Sequence, residues 1–322
     1  MGTVLLSAAD SAALGKKATR AAYGETLVEL AREGLDVYAV DADLAGSTTT
    51  AKLAAYDPHR HVNVGIAEQT MIDVAAGLSL AGKVVFTGSF AVFGTGRAYD
   101  QIRNTVCYSG LDVKVAPTHS GVTVGPDGGT HQMLEDIALM RVLPSMRVLV
   151  PADYTSAKAA VRIAAATSGP FYVRLGRAGV PVVYDAATTF ELGGSHLLRE
   201  GADVTIVACG IEVAEALAAA EVLAGEGIEA EVIDAYSVKP LDAGTIVASA
   251  HKTGRVVTVE EHSIIGGLGS AVAELLGERC PVSLARIGVP DVFGSSGSPD
   301  ELLAAFGLDA AGIAARVRSV LD

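Results

Sequence analysis

The stretch Gly65-Ile66-Ala67-Glu68-Gln69-Thr70-Met71-Ile72-Asp73-Val74-Ala75-Ala76-Gly77-Leu78-Ser79-Leu80-Ala81-Gly82-Lys83-Val84-Val85-Phe86 reads as a helix, a turn and a buried strand. Apolar residues recur at helical spacing from Met71 to Leu78, which predicts a helix over 67–80. Ala81-Gly82-Lys83 breaks it, and the β-branched run that follows is apolar on both faces. Lys83 and the glycines also exclude a membrane span over the apolar run from Val74 to Phe93.

The same unit recurs in both directions. Val37-Tyr38-Ala39-Val40, Val113-Lys114-Val115-Ala116, Arg147-Val148-Leu149-Val150 and Phe171-Tyr172-Val173-Arg174 are further strand candidates, with helical patterns near 20–33, 96–108, 133–140 and 155–166. Strands buried on both faces and separated by helices predict an α/β fold with a parallel sheet. The pattern pauses over Val180–Phe190, a linker, and resumes with strands from Asp203, Glu229, Arg255 and Val282 and a helix over 211–226. Two parallel-sheet α/β domains are expected, 17–189 and a smaller 190–322, after a flexible segment 1–16. No internal repeat is visible.

At 322 residues and half apolar, the chain is long enough for two cores. With 24 Lys and Arg against 37 Asp and Glu, the net charge of −13 argues against nucleic acid or an anionic membrane as partner. Cys107, Cys209 and Cys280 form neither a CxxC pair nor a disulfide framework and read as small core residues in a reducing compartment. Met1-Gly2-Thr3-Val4-Leu5-Leu6 lacks the basic start of a signal peptide, and a cytoplasmic location is expected.

Glu68 heads a helix whose following residues are nearly all apolar, so the carboxyl is expected in a dry site that favours its neutral form. The bland alternative is a glutamate at a helix N-terminus, facing the dipole. Downstream lie Ser89-Phe90-Ala91-Val92-Phe93, and Thr118-His119-Ser120-Gly121-Val122-Thr123-Val124-Gly125-Pro126-Asp127-Gly128-Gly129-Thr130-His131-Gln132. Histidines can donate to an alkoxide or shuttle a proton near neutral pH. The glycines of the second segment are expected to let the backbone approach a ligand.

From about residue 17 to about residue 290, these motifs resemble, in order and spacing, the C-terminal two-thirds of the transketolase family. That resemblance implies a subunit carrying the pyrimidine-binding and C-terminal domains of an enzyme dependent on thiamine diphosphate. It assigns Glu68 to the pyrimidine N1′, where a carboxyl promotes the imino form that removes the thiazolium C2 proton. It assigns Phe90 and Phe93 to the pyrimidine ring. A tyrosine expected three residues later is Gly96 here, and Arg97 is the candidate to fill that space. His119, Asp127 and His131 then bind the sugar, with His119 and His131 acting in catalysis, and Arg20, Ser47 and Arg177 hold its phosphate. Arg174 is an extra candidate or a surface ion-pair residue, and Asp41 is a second carboxylate unfavourably near a phosphate. The glycine-rich turn Gly266-Gly267-Leu268-Gly269 and His262 are expected to be structural, although a phosphate at that helix N-terminus is the tempting reading.

The family's diphosphate and metal motif, Gly-Asp-Gly with a later Asn, is absent from this sequence. No metal ligand is therefore expected in this chain. The resemblance implies a partner subunit holding the diphosphate and Mg2+ (or Ca2+), an α2β2 assembly, and ketol transfer from a ketose phosphate to an aldose acceptor. Arg97-Ala98-Tyr99-Asp100-Gln101 also resembles deoxyxylulose-phosphate synthases, which leaves a split synthase of that kind as an alternative. A 2-oxoacid dehydrogenase β subunit shares the fold but gives His119, Asp127 and Arg177 no purpose. A catalytically silent scaffold leaves Glu68, His119 and His131 unexplained, and no Gly-x-Gly-x-x-Gly follows the first strand to support a dinucleotide site.

Overall fold

The computed structural model describes residues 4–321, and among these are fourteen strands, most of them separated by helices. Strands β1 (Lys16–Ala18), β2 (Val37–Asp41), β3 (His61–Asn63), β4 (Val84–Gly88), β5 (Val113–Val115), β6 (Arg147–Leu149), β7 (Phe171–Val173) and β8 (Gly179–Pro181) precede residue 190. Strands β9 (His196–Arg199), β10 (Val204–Ala208), β11 (Ala230–Asp234), β12 (Ser237–Lys239), β13 (Arg255–Ser263) and β14 (Ser283–Val289) follow it.

The first sheet runs β12-β6-β7-β5-β4-β2-β3 and the second β14-β13-β10-β11-β9. Neighbours are parallel except at β12–β6 and β11–β9, where an antiparallel strand closes an edge. The α/β architecture is therefore the expected one. One element departs from it: Ser237–Lys239, which the sequence places inside the second domain, completes the first sheet by pairing with Arg147–Leu149. Apolar packing is continuous across this junction, where Met146, Val148 and Val150 meet Val207, Cys209 and Val238 in one buried cluster.

Helices form at Thr19–Arg32, Glu68–Leu80, Asp136–Arg141, Tyr154–Ala166 and Glu212–Ala224, close to their expected places. Asp153 caps the fourth of these by accepting from Ser156 N at 2.8 Å. The expected helix over 96–108 is wound differently, as π-helical turns at Val92–Arg97 and Ile102–Tyr108 around Tyr99–Gln101. Such wide turns concentrate at functional sites.

The segment expected to be a flexible lead-in carries a helix at Ala8–Leu14 and ends on the first residue of strand β1, and Leu6 N donates to Val183 O at 3.0 Å. Met1, Gly2 and Thr3 of that segment lie outside the described residues. The expected linker is held too, since Asp153 accepts from Val183 N and Tyr184 N, and Tyr184 Oη donates to Asp234 at 2.5 Å. All three cysteines are buried and free, and burial pushes the Cys107 thiol up to about 11. Among the described residues no helix is long and apolar enough to cross a membrane.

Candidate functional site

In a parallel sheet, ligands bind in the crevice outside the carboxyl ends of the strands. Here those ends deliver Ser89 and Phe90 after β4, Thr118 and His119 after β5, and Arg174 and Arg177 after β7. The segments are tied together by backbone bonds from Ala91 N to Thr118 O at 2.7 Å and from Ser120 N to Leu175 O at 3.2 Å.

Glu68 opens its helix and is 1% exposed. Its carboxylate turns away from the helix: Oε2 accepts from Arg97 Nη1 at 2.7 Å and Oε1 from Ser89 Oγ at 3.3 Å. The carboxyl is buried, as a dry site requires, and a guanidinium faces it in a charge-assisted bond. The same guanidinium lies 4.8 Å from the Phe93 ring centroid.

Next to this carboxylate the aromatic groups converge. Phe90 and Phe93 are stacked with centroids 6.2 Å apart, His119 stacks on Phe90 at 3.8 Å, and His131 meets Phe93 edge-on at 5.4 Å. His119 sits in the left-handed region at φ 63°, a conformation uncommon outside glycine, and its Nδ1 lies 2.7 Å from Thr118 Oγ1. Burial lowers its imidazole to about 3, with Arg20, Arg177 and His131 adding to the effect. His119 is therefore a neutral imidazole at physiological pH.

Burial first and the neighbouring Arg177 second lower Arg20 from its ordinary value. Arg20 Nη1 donates to Ser47 O at 2.7 Å, so Ser47 orients this arginine through its carbonyl. Arg177 donates to Val124 O and stands 3.7 Å from Asp127 Oδ2. A concentrated positive spot beside a neutral histidine suits an anion with adjoining hydroxyls.

Three expectations change here. Asp41 does not face this spot: its carboxylate accepts from Leu44 N at 2.6 Å, Thr48 Oγ1 at 2.9 Å and Thr50 Oγ1 at 2.8 Å, holding the turn after β2. Arg174 is no surface residue, being 6% exposed and paired with Asp136 at 2.7 Å. The close backbone approach that Gly128 and Gly129 permit is to the second domain, because a Cβ would lie 2.5 Å from Ser296 Oγ and 2.6 Å from Gly294 O.

His262 is fully buried, whereas the turn before Leu268–Arg279 reaches the surface at Ile265. The Glu260 carboxyl group accepts from Leu268 N at 2.6 Å and Gly269 N at 2.8 Å, so the free N–H groups of that helix N-terminus are already bonded within the chain. Sequence reasoning singled out neither Asp136 nor Glu261. Glu261 is the neighbour of His262, but a strand residue facing another domain leaves no periodic signal. Among the described residues no group of three or more His, Cys, Asp or Glu is placed to hold a metal ion.

The fold and site define a two-domain α/β protein with an aromatic, carboxylate-bearing crevice beside two neighbouring arginines. Family models match in the same order: Transketolase, pyrimidine binding domain over residues 15–182, and Transketolase, C-terminal domain over 193–313. The chain belongs to the transketolase family. It is 46% identical to the 6-deoxy-6-sulfo-D-fructose transketolase subunit of Clostridium sp., over 94% of each chain. It is 41% identical to a subunit of the apulose-4-phosphate transketolase of Phocaeicola vulgatus, over 92% of this chain and 95% of that protein. A solved structure described as a split gene transketolase, inactive beta4 tetramer, superposes with TM-score 0.88 at 51% identity, covering 95% of this chain and 99% of that one.

Proposed function

We propose that this chain is one component of a two-chain transketolase that moves a two-carbon ketol unit from a ketose phosphate to an aldose acceptor. The observation that carries this reading is the convergence of Glu68, Phe90, Phe93, His119 and His131 beside Arg20 and Arg177 at the carboxyl edge of one sheet. Both relatives named above act, by their descriptions, on sugars bearing a sulfonate or phosphate, which favours an anion anchor at the arginines.

Thiamine diphosphate, which the family implies, fits the groups present: a buried carboxylate beside two aromatic rings. Glu68 would take the pyrimidine N1′, with Phe90, Phe93 and Arg97 around the ring. When bound, this cofactor supplies the carbanion chemistry that breaking and forming the carbon–carbon bond requires. His119, neutral and fixed by Thr118, presents Nε2 to a substrate hydroxyl or carbonyl oxygen. His131 stands across Phe93 to hold or move a proton at the donor oxygen, and Asp127 accepts from a sugar hydroxyl. Arg20 and Arg177 anchor the terminal anion at two points, which orients the sugar chain toward the aromatic pair. The diphosphate, Mg2+ (or Ca2+) and remaining sugar ligands belong to the partner subunit in an α2β2 assembly. The free buried cysteines agree with a cytoplasmic setting.

The test is to assemble the chain with a partner bearing the Gly-Asp-Gly motif and follow the consumption of xylulose 5-phosphate. Alone, the chain is expected to bind thiamine diphosphate and Mg2+ weakly or not at all by calorimetry. Tight binding to the single chain would remove the two-component reading. Arg177→Ala is expected to raise KM for phosphorylated ketoses by roughly ten-fold or more with little change in kcat, as charge-assisted bonds are worth about 1.5–3 kcal/mol each. Equal effects on dephosphorylated sugars would remove the phosphate assignment.

A further inference from the structure

The loop that carries Asp127 and His131 is held from the other domain. Glu261, on β13 and 3% exposed, directs Oε1 to Thr123 N at 2.6 Å. The carboxyl lies flat against Gly121, whose φ of 79° and missing side chain leave it that space; any Cβ there would collide with the carboxyl group. The Glu261 backbone is itself anchored, since its carbonyl accepts from Arg174 Nη2 at 2.9 Å.

The contact falls between two others that tie this loop to the arginine segment. Ser120 N bonds Leu175 O at 3.2 Å, and Arg177 reaches Val124 O. Thr123 lies between these ties, so the position of its peptide helps set where the Val124 carbonyl points. That carbonyl orients the Arg177 guanidinium, and Asp127 follows three residues later. A second link from the same domain, Gln132 Nε2 to Ser295 O at 2.8 Å, holds the far end of the loop.

We propose that Glu261 is a positioning residue for the sugar site: its carboxylate fixes the Gly121–Thr123 backbone and so sets the reach of Arg177 and Asp127 toward the bound sugar. This rests on the reading of those residues as sugar ligands. It gives the C-terminal domain a part in substrate affinity while leaving the Glu68, Phe90 and Phe93 cofactor groups untouched. A carboxylate serving only to join the domains would alter stability without changing how the substrate binds.

Glu261→Met keeps the volume and removes the acceptor, whereas Glu261→Gln keeps an acceptor for Thr123 N. In hydrogen–deuterium exchange on the full chain, residues 119–132 are expected to exchange faster in Glu261→Met and at the wild-type rate in Glu261→Gln. In the assembled complex, Glu261→Met is expected to raise KM for xylulose 5-phosphate about ten-fold with kcat and thiamine diphosphate affinity within about two-fold, and Glu261→Gln to restore it. Unchanged exchange over 119–132 in Glu261→Met overturns the hold on the loop. Faster exchange with unchanged KM, or an equal loss of cofactor affinity, overturns its role in sugar binding. A wild-type complex that consumes no ketose defeats the proposed transketolase activity instead, and the exchange measurement still decides whether Glu261 holds the loop.

Discussion

Replacing Glu68 by glutamine is expected to lower turnover of the assembled enzyme by about two orders of magnitude or more, in line with the ~10²–10⁴-fold that positioned acid–base groups supply. The amide is nearly isosteric, and its oxygen can still accept from Arg97 or Ser89, so the fold is expected to persist. What it loses is the charge and the ability to exchange a proton with the pyrimidine nitrogen. The loss is sharpened by the surroundings, because Arg97 approaches at 2.7 Å and would face an uncharged amide. The measurements are kcat and the exchange of the thiazolium C2 proton by NMR, with thermal melts to check folding. An exchange rate equal to wild type would take Glu68 out of the mechanism.

The second large effect is structural. Arg174→Ala is expected to destabilise the chain by about 3–5 kcal/mol, the usual cost of removing one partner from a buried ion pair. Asp136 is fully buried and receives Arg174 Nε at 2.7 Å and Tyr172 Oη at 2.5 Å. Burial pushes the Asp136 carboxyl up, but Arg174 and His262 outweigh it and hold it below the ordinary carboxylate value. Without the guanidinium, the Asp136 and Glu261 carboxyls would be left buried without the cation they share. Urea unfolding followed by circular dichroism gives the loss. The double variant Arg174→Ala with Asp136→Asn is expected to be less impaired than the sum of the single changes, since neither charge is then left unpaired. A loss below about 1 kcal/mol, the range of surface ion pairs, would show that the pair contributes no more than an exposed one.

How much of this was legible beforehand depended on the range of the interaction concerned. The helix from Glu68 and strand β4 follow from the local pattern of apolar residues, and both appear as read. Strand β3 (His61–Asn63) has a single apolar residue, Val62, between a histidine and an asparagine, and so shows no buried run. β12 could not be seen at all, because Ser237-Val238-Lys239 becomes a strand only by pairing with Arg147–Leu149, some ninety residues earlier. The π-helical turns at Val92–Arg97 and Ile102–Tyr108 likewise left no mark distinguishing them from an α-helix.

The site divides along the same line. Glu68, Phe90, Phe93, His119, Asp127, His131 and Arg177 stand out because they lie in short segments at family spacing, and the sequence by itself determined the α/β class, the order of the elements and this family. The tertiary structure alone decided which charges are engaged and with what. It turned Asp41 inward to a threonine-lined turn, paired Arg174 with Asp136, set Arg97 on Glu68, and brought Glu261 from the second domain onto the loop of the first. The reason is physical. Hydrophobic periodicity is a local property of the chain, whereas the partner of a buried charge is fixed by desolvation, which depends on every element packed around it.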